Sequence, residues 1–238
     1  MKKVTVQNVA EVMNRIAPKS LAEDWDNPGL LVGKFSAEVD KIFVCLDVSE
    51  ENIKIAADFG AQLIISHHPI IFHAVKNIRT DLPLGRKIEL LIKNDISVFA
   101  AHTNLDSAIG GVNDVLAEKI GLTEIKMFGD EEISLGRLGK LSEPMTAENF
   151  AELVKKNLNA ESVRLVNAGD FLIKKVGICS GAGSEFISKA KFFADIGSEI
   201  FPSLPREISS SPNIFISVNP IFSARISFTP PIALSKFV

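Results

Sequence analysis

Three short apolar runs, Ile42–Leu46, Leu63–Ile65 and Ile96–Ala101, constrain this fold more than any other feature of the chain. Each is apolar but for Ser97 in the third and too short for a buried helix, which is how a strand covered on both faces reads. Between them lie helical stretches, Glu50–Phe59 closed by Gly60 and then Leu84–Lys93. Strand, helix, strand, helix, strand implies a parallel sheet with crossover helices, the α/β class. A further helix is expected over Thr5 to Ala17, where Val9, Val12, Met13 and Ile16 recur at helical spacing until Pro18.

A second set of elements follows Gly121. Ile133–Leu141 reads as a strand, and Thr146 opens a helix with Phe150, Leu153, Val154 and Leu158 on one face. Val163–Val166 and Val176–Cys179 read as further strands. The polar run E-I-K-M-F-G-D-E-E suggests a boundary near residues 121–130, giving a first α/β lobe over 1–125 and a second over 126–195. Residues 198–238 depart from both: they hold six of the eleven prolines, nine serines and only five charged residues in 41 positions. Neither helical nor strand periodicity is expected there, yet large apolar residues are too frequent for an ordinary linker.

Charge and cysteines narrow the setting. Lys+Arg number 26 against 29 Asp+Glu, a net charge of -3, which argues against binding nucleic acid or an anionic membrane through phosphate contacts alone. Cys45 and Cys179 lie in apolar runs without metal or redox spacing, as reduced core thiols do. No apolar segment suits a signal peptide or a membrane span, so a cytoplasmic location is expected.

All four histidines, His67, His68, His73 and His102, fall within 36 residues. Ligands bind outside the carboxyl ends of parallel strands, and Asp47, His67, His68, His102 and Asp106 stand at or just after three such ends. Adjacent histidines in extended backbone point to opposite sides, so each could reach a different ion, with Asp106 adding an oxygen donor. Zinc, iron, nickel and manganese all suit such donors. His102 has two readings of equal weight: general acid or base, or a group that orients Asp106 or its loop. His73 reads as a surface residue. Asp47 reads chiefly as the N-cap region of the following helix rather than as a hydrogen-bond acceptor for a ligand. Gly29–Lys34 lacks the length and the hydroxyl of a phosphate loop. Ser180-Gly181-Ala182-Gly183-Ser184 reads first as a tight turn and second as an anion cradle.

Five blocks in order carry a resemblance. Leu21-Ala22-Glu23-Asp24-Trp25-Asp26-Asn27-Pro28-Gly29-Leu30-Leu31-Val32-Gly33, Cys45-Leu46-Asp47-Val48, Ile65-Ser66-His67-His68-Pro69-Ile70, Ala101-His102-Thr103-Asn104-Leu105-Asp106 and Cys179-Ser180-Gly181-Ala182-Gly183-Ser184 are one set. They resemble the signature blocks of the Nif-three-like dinuclear metal-binding family, also called GTP cyclohydrolase I type 2, in its short form. The resemblance covers roughly residues 1–195. It implies two α/β lobes with central sheets, a homohexameric ring, and two divalent ions per subunit held in part by His67, His68 and Asp106. It also implies a metal-dependent hydrolase acting on a nucleotide-like substrate, opening the imidazole ring of GTP, with His102 relaying a proton. Two other readings stand beside it: a non-catalytic metal-binding adaptor or regulatory ring, and an inactive, damaged member.

The family draws a further His and Glu, four residues apart, from a block near the C-terminus, whereas this chain has no His after His102. Loss of pattern together with an abrupt change of composition is what a reading-frame shift produces, here near residues 192–200. A chain ending in residues 196–238 as written is expected to lack two metal ligands and a core strand.

Overall fold

A computed structural model describes residues 3–127, 135–163, 165 and 172–181, and the backbone of 215–218. It contains two four-stranded sheets with helices packed on them, so the α/β class holds. The first has the order β1-β4-β3-β2, formed by β1 (Gly29–Val32), β2 (Ile42–Cys45), β3 (Leu63–Ser66) and β4 (Ser97–Ala100).

The three expected strands are parallel and in tight register, Cys45 opposite Ser66 and Ser66 opposite Ala100. Their carboxyl ends are therefore level, and that alignment later positions the site. Helix α2 (Glu50–Phe59) links β2 to β3, and α3 (Pro83–Lys93) links β3 to β4. Ser49 caps α2 through its side chain, and Gly60 ends it at φ 74, a left-handed conformation that glycine adopts without strain.

Both faces of the central strands β3 and β4 are covered, as their apolar runs require, while the edge strand β2 leaves Val44 72% exposed. Ile64 and Val98 pack with Ile53, Ala56 and Leu91 on one face. Leu63 and Phe99 pack on the other with Val6, Val9 and Ala10 of α1 (Val6–Ile16), which a reciprocal pair of hydrogen bonds between Thr5 and Asn8 opens. The fourth strand, β1, was not expected. It runs antiparallel to β4, so the sheet is mixed, and the glycine-rich stretch excluded as a phosphate loop is this edge strand.

The second sheet has the order β5-β6-β7-β8. It is formed by β5 (Thr123–Met127), β6 (Arg137–Met145), β7 (Ile173–Ser180) and β8 (Phe215–Val218). Helix α6 (Ala147–Asn157), capped by Thr146, buries Phe150 and Val154 against Ile173, Val176 and Ile178. The strand expected from residue 133 starts at Arg137 among the described residues. Of the strand expected at Val163–Val166, only Val163 and Leu165 are described, and neither lies in a strand.

Four elements correct the sequence reading. β5 falls in the run taken as a polar boundary; it is an edge strand with two exposed charged side chains, which hides its period. Two short helices, α4 (Thr103–Ser107) and α5 (Val112–Lys119), follow β4. A side chain at Gly111 would collide with the carbonyl oxygen of Leu105, so glycine permits the close turn between them. Finally, β8 lies within the segment read as strandless and pairs in parallel with β7, Ser180 opposite Val218. The rest of 196–238 lies outside the described residues. Among the described residues, no helix is long and apolar enough to cross a membrane.

Candidate metal centre

The backbone ladder of the first sheet continues beyond its strands and delivers the histidines to one place. His67 N–H donates to Cys45 O at 3.2 Å, His68 N–H to Leu46 O at 2.9 Å, and Ala101 N–H to Ser66 O at 2.9 Å. The imidazoles of His67, His68 and His102 stand with ring centroids 5.0 to 5.6 Å apart. Each offers a ligand nitrogen, and all three nitrogens lie within 4.8 Å of one another.

The Nδ1 of each ring has an acceptor of its own. That of His67 meets Ala101 O at 3.0 Å, that of His68 meets Asp47 Oδ1 at 2.8 Å, and that of His102 meets Asp26 Oδ1 at 2.8 Å. Carbonyl and carboxylate oxygens accept, so each Nδ1 carries a proton, and in the neutral form of each ring Nε2 is the nitrogen with a lone pair. Burial, helped by the neighbouring His102, pushes the pKa of His67 down to about 4, so its ring is neutral at physiological pH. Fixing a ring nitrogen in this way orients a histidine for metal ligation.

Asp106 adjoins the cluster through His67, its Oδ1 3.6 Å from His67 Nε2. Lone pairs therefore face each other across that gap, an arrangement that a cation between them would relieve. The carboxyl is 5 % exposed, and among the described residues it accepts one hydrogen bond, from Ser180 Oγ at 3.3 Å. Burial raises its pKa to about 6, with His102 and the Ser180 bond acting in the opposite direction. The three imidazoles could bind a metal ion, and Asp106 is an underpartnered buried carboxylate beside them. This donor set fits a divalent ion.

Asp106 is held from the second sheet. Asn113 Nδ2 donates to Asp106 O at 3.1 Å and to Leu135 O at 2.7 Å, while its Oδ1 accepts from Ser180 N at 2.8 Å. Arg137, 1 % exposed, pairs with Asp114 and donates to Ser107 O and Ala108 O, which anchors the end of α4. The polar residues after β4 are thus buried with partners, as their position after an apolar strand demands.

Asp26 organises the other side. It accepts from His102, from Thr103 N–H at 3.1 Å and from Thr103 Oγ at 2.5 Å. Burial would raise its pKa, but the bonds from His102, Thr103 and the Asn27 N–H outweigh that and hold it at about 2. Asp26 is a carboxylate throughout the physiological range.

The structure corrects two readings and adds a residue. Ser49, not Asp47, caps α2, and Asp47 is instead the acceptor that orients His68. The side chain of His102 orients toward Asp26 rather than Asp106, and His102 also joins the cluster as a potential ligand. Asp26 was not foreseen as a functional residue; its only signal was a place in the Trp25-Asp26-Asn27 block, 76 residues from its partner. His73 is exposed, as expected, and lies outside the cluster. Both cysteines are free thiols, their pKa pushed up to about 12 by burial, hence unreactive. In the glycine-rich turn, Gly181 adopts φ 62 and Ser180 serves Asp106; residues 182–184 lie outside the described ones.

Residues 4–196 match the family described as Duf34/NIF3 (NGG1p interacting factor 3). A Clostridium perfringens protein named GTP cyclohydrolase 1 type 2 homolog is 40% identical over 190 residues, covering 78% of this chain and 72% of that protein. Among solved structures, a Bacillus cereus protein related to NIF3 superposes with a TM-score of 0.76 at 27% identity, covering 82% of this chain and 81% of that one. A hypothetical protein of Staphylococcus aureus does so with a TM-score of 0.76 at 30% identity, covering 82% and 78%.

Proposed function

The chain belongs to the Duf34/NIF3 family, and from that premise we propose that it binds a divalent metal ion and uses it to hydrolyse a nucleotide-like substrate. One observation carries this reading: three tautomer-fixed imidazoles converge beside a buried carboxylate that has a single hydrogen-bond partner among the described residues. His67, His68 and Asp106 would hold the ion. Zinc, iron, manganese or nickel suits the donors. A bound ion would supply Lewis acidity toward a substrate oxygen and activate water near neutral pH.

His102 then handles the proton. Its Nδ1–H is fixed on Asp26, itself locked by Thr103, so Nε2 faces the site as a base whose orientation is set from behind. The relatives' name supports a guanine nucleotide as the substrate. The test is calorimetric titration of zinc and manganese into chelator-treated protein, followed by chromatography of GTP incubated with the loaded form. Metal binding and turnover that disappears in His68→Ala are expected; the absence of metal binding refutes the reading.

A second reading has its own support. This chain has no His after His102, so the His and Glu that the family supplies from its C-terminus have no counterpart at a histidine. Metal bound without turnover of GTP or other nucleotides would assign the protein to adaptor or regulatory work instead.

A further inference from the structure

Two large aromatic side chains stand open at the edge of the histidine cluster. Trp25 is 49% exposed and Phe72 38%, and their ring centroids are 5.7 Å apart at an interplanar angle of 48°. Each centroid lies 6.3 Å from that of His102, whose imidazole stands nearly edge-on to both. The packing of the core does not account for them, since neither belongs to a buried cluster.

Three consecutive residues hold this pair to the cluster. Trp25 is followed by Asp26, which is bonded to His102 and Thr103, and then by Asn27, whose Nδ2 donates at 2.8 Å to the carbonyl of Ile71, the neighbour of Phe72. The same tripeptide therefore fixes both rings relative to the imidazoles. Among the described residues the indole N–H of Trp25 has no hydrogen-bond partner, so it can donate to a ligand.

We propose that Trp25 and Phe72 form a stacking platform for the planar ring of a purine-type ligand, placing that ring beside the histidine cluster. A third ring has no room between centroids 5.7 Å apart, so it lies against the open faces. Face-to-face contact of this kind tolerates any flat heterocycle, and the polar discrimination comes from edges, such as the indole N–H. The proposal rests on the reading of a nucleotide-like substrate and adds the part of the site that grips its base.

Trp25 is the single tryptophan of the chain, so its fluorescence reports on the platform alone. Guanosine, GTP and, as a ringless control, tripolyphosphate are titrated into chelated and zinc-loaded protein, with excitation beyond purine absorption and zinc loading measured separately by calorimetry. Guanosine and GTP are expected to change the emission saturably and tripolyphosphate to leave it unchanged. Phe72→Ala should weaken guanosine about 5-fold or more, the effect of losing one stacking ring, and Phe72→Tyr should restore it.

No saturable change with guanosine in zinc-loaded protein overturns the proposal, as does a response untouched by Phe72→Ala. A Phe72→Ala chain that changes its oligomeric mass while keeping guanosine affinity would assign the rings to a subunit contact and also overturn it. If zinc fails to bind while guanosine still quenches, the platform stands and the metal reading falls.

Discussion

Replacing Asp106 by Asn should stabilise the metal-free protein while abolishing its affinity for metal. Burial raises the Asp106 carboxyl from the ordinary 3.8 to about 6. Its folded-state pKa lies above the unfolded one, so below 3.8 the group costs nothing, and the cost grows as pH rises from 3.8 and is complete above about 6. At about 1.4 kcal/mol per pH unit between the two values, the full cost is about 3 kcal/mol. An amide carries no charge, keeps an oxygen for Ser180 Oγ, and turns an N–H toward the lone pair of His67 Nε2.

Urea unfolding in chelator at about pH 8 should therefore show Asp106→Asn more stable by about 3 kcal/mol, and at about pH 3.5 the two should coincide. In thermal melts the gain corresponds to roughly 6–12 °C for a chain of this size. His67, its own pKa depressed to about 4, is neutral at pH 8 and adds no charge there in either protein. Saturating zinc should reverse the order, since it stabilises only the form that binds it. A variant no more stable than wild type at alkaline pH, or a gain of equal size at both pH values, would refute the argument that an uncompensated buried charge waits there for a cation.

Three other perturbations test the rest of the site. His102→Ala should keep the metal yet lower GTP turnover by about 100-fold or more, the usual contribution of a positioned acid–base group; loss of zinc in calorimetry would make His102 a ligand instead. Asp26→Asn should cost about 2 kcal/mol near pH 6, because Asp26 sits at about 2 against 3.8, a depressed carboxyl whose stabilisation is present above 3.8 and lost as pH falls through 2. Urea titrations should show that difference shrinking by about half near pH 3, and a constant difference would mean that packing, not charge, is at stake. Arg137→Met breaks the buried pair with Asp114 and should cost about 3–5 kcal/mol by circular dichroism, weakening zinc affinity as α4 loosens; an unchanged melt would detach α4 from the second sheet.

The first sheet was legible because its signals are local. The runs that became β2, β3 and β4 are apolar on both faces, and Ser49 with Gly60 delimits α2 within a few residues of sequence. The histidines were legible for the same reason, since level strand ends follow from parallel order alone. β5 was not, because its side chains at Thr123, Glu124 and Lys126 face solvent and its pattern reads as a loop. α4 and α5 are short and amphipathic only in part. Asp26 and Asp47 were misjudged because what defines them is a partner elsewhere: His102 is 76 residues from Asp26, and His68 is 21 from Asp47. No window of sequence shows such a pairing.

The polar clamp on Asp106 also orders events during folding. Ser180 bonds Asp106 across 74 residues and Asn113 across 67, whereas the pairing of β2 with β3 closes a much shorter loop. Loop-closure entropy favours the shorter contacts first. During synthesis the histidines can thus gather while Asp106 still lacks its restraints. An ion captured at that early stage would meet three imidazoles without the carboxylate, so such a nascent chain would favour imidazole-preferring ions such as zinc or nickel over oxygen-preferring ones before the oxygen donor has been set in place.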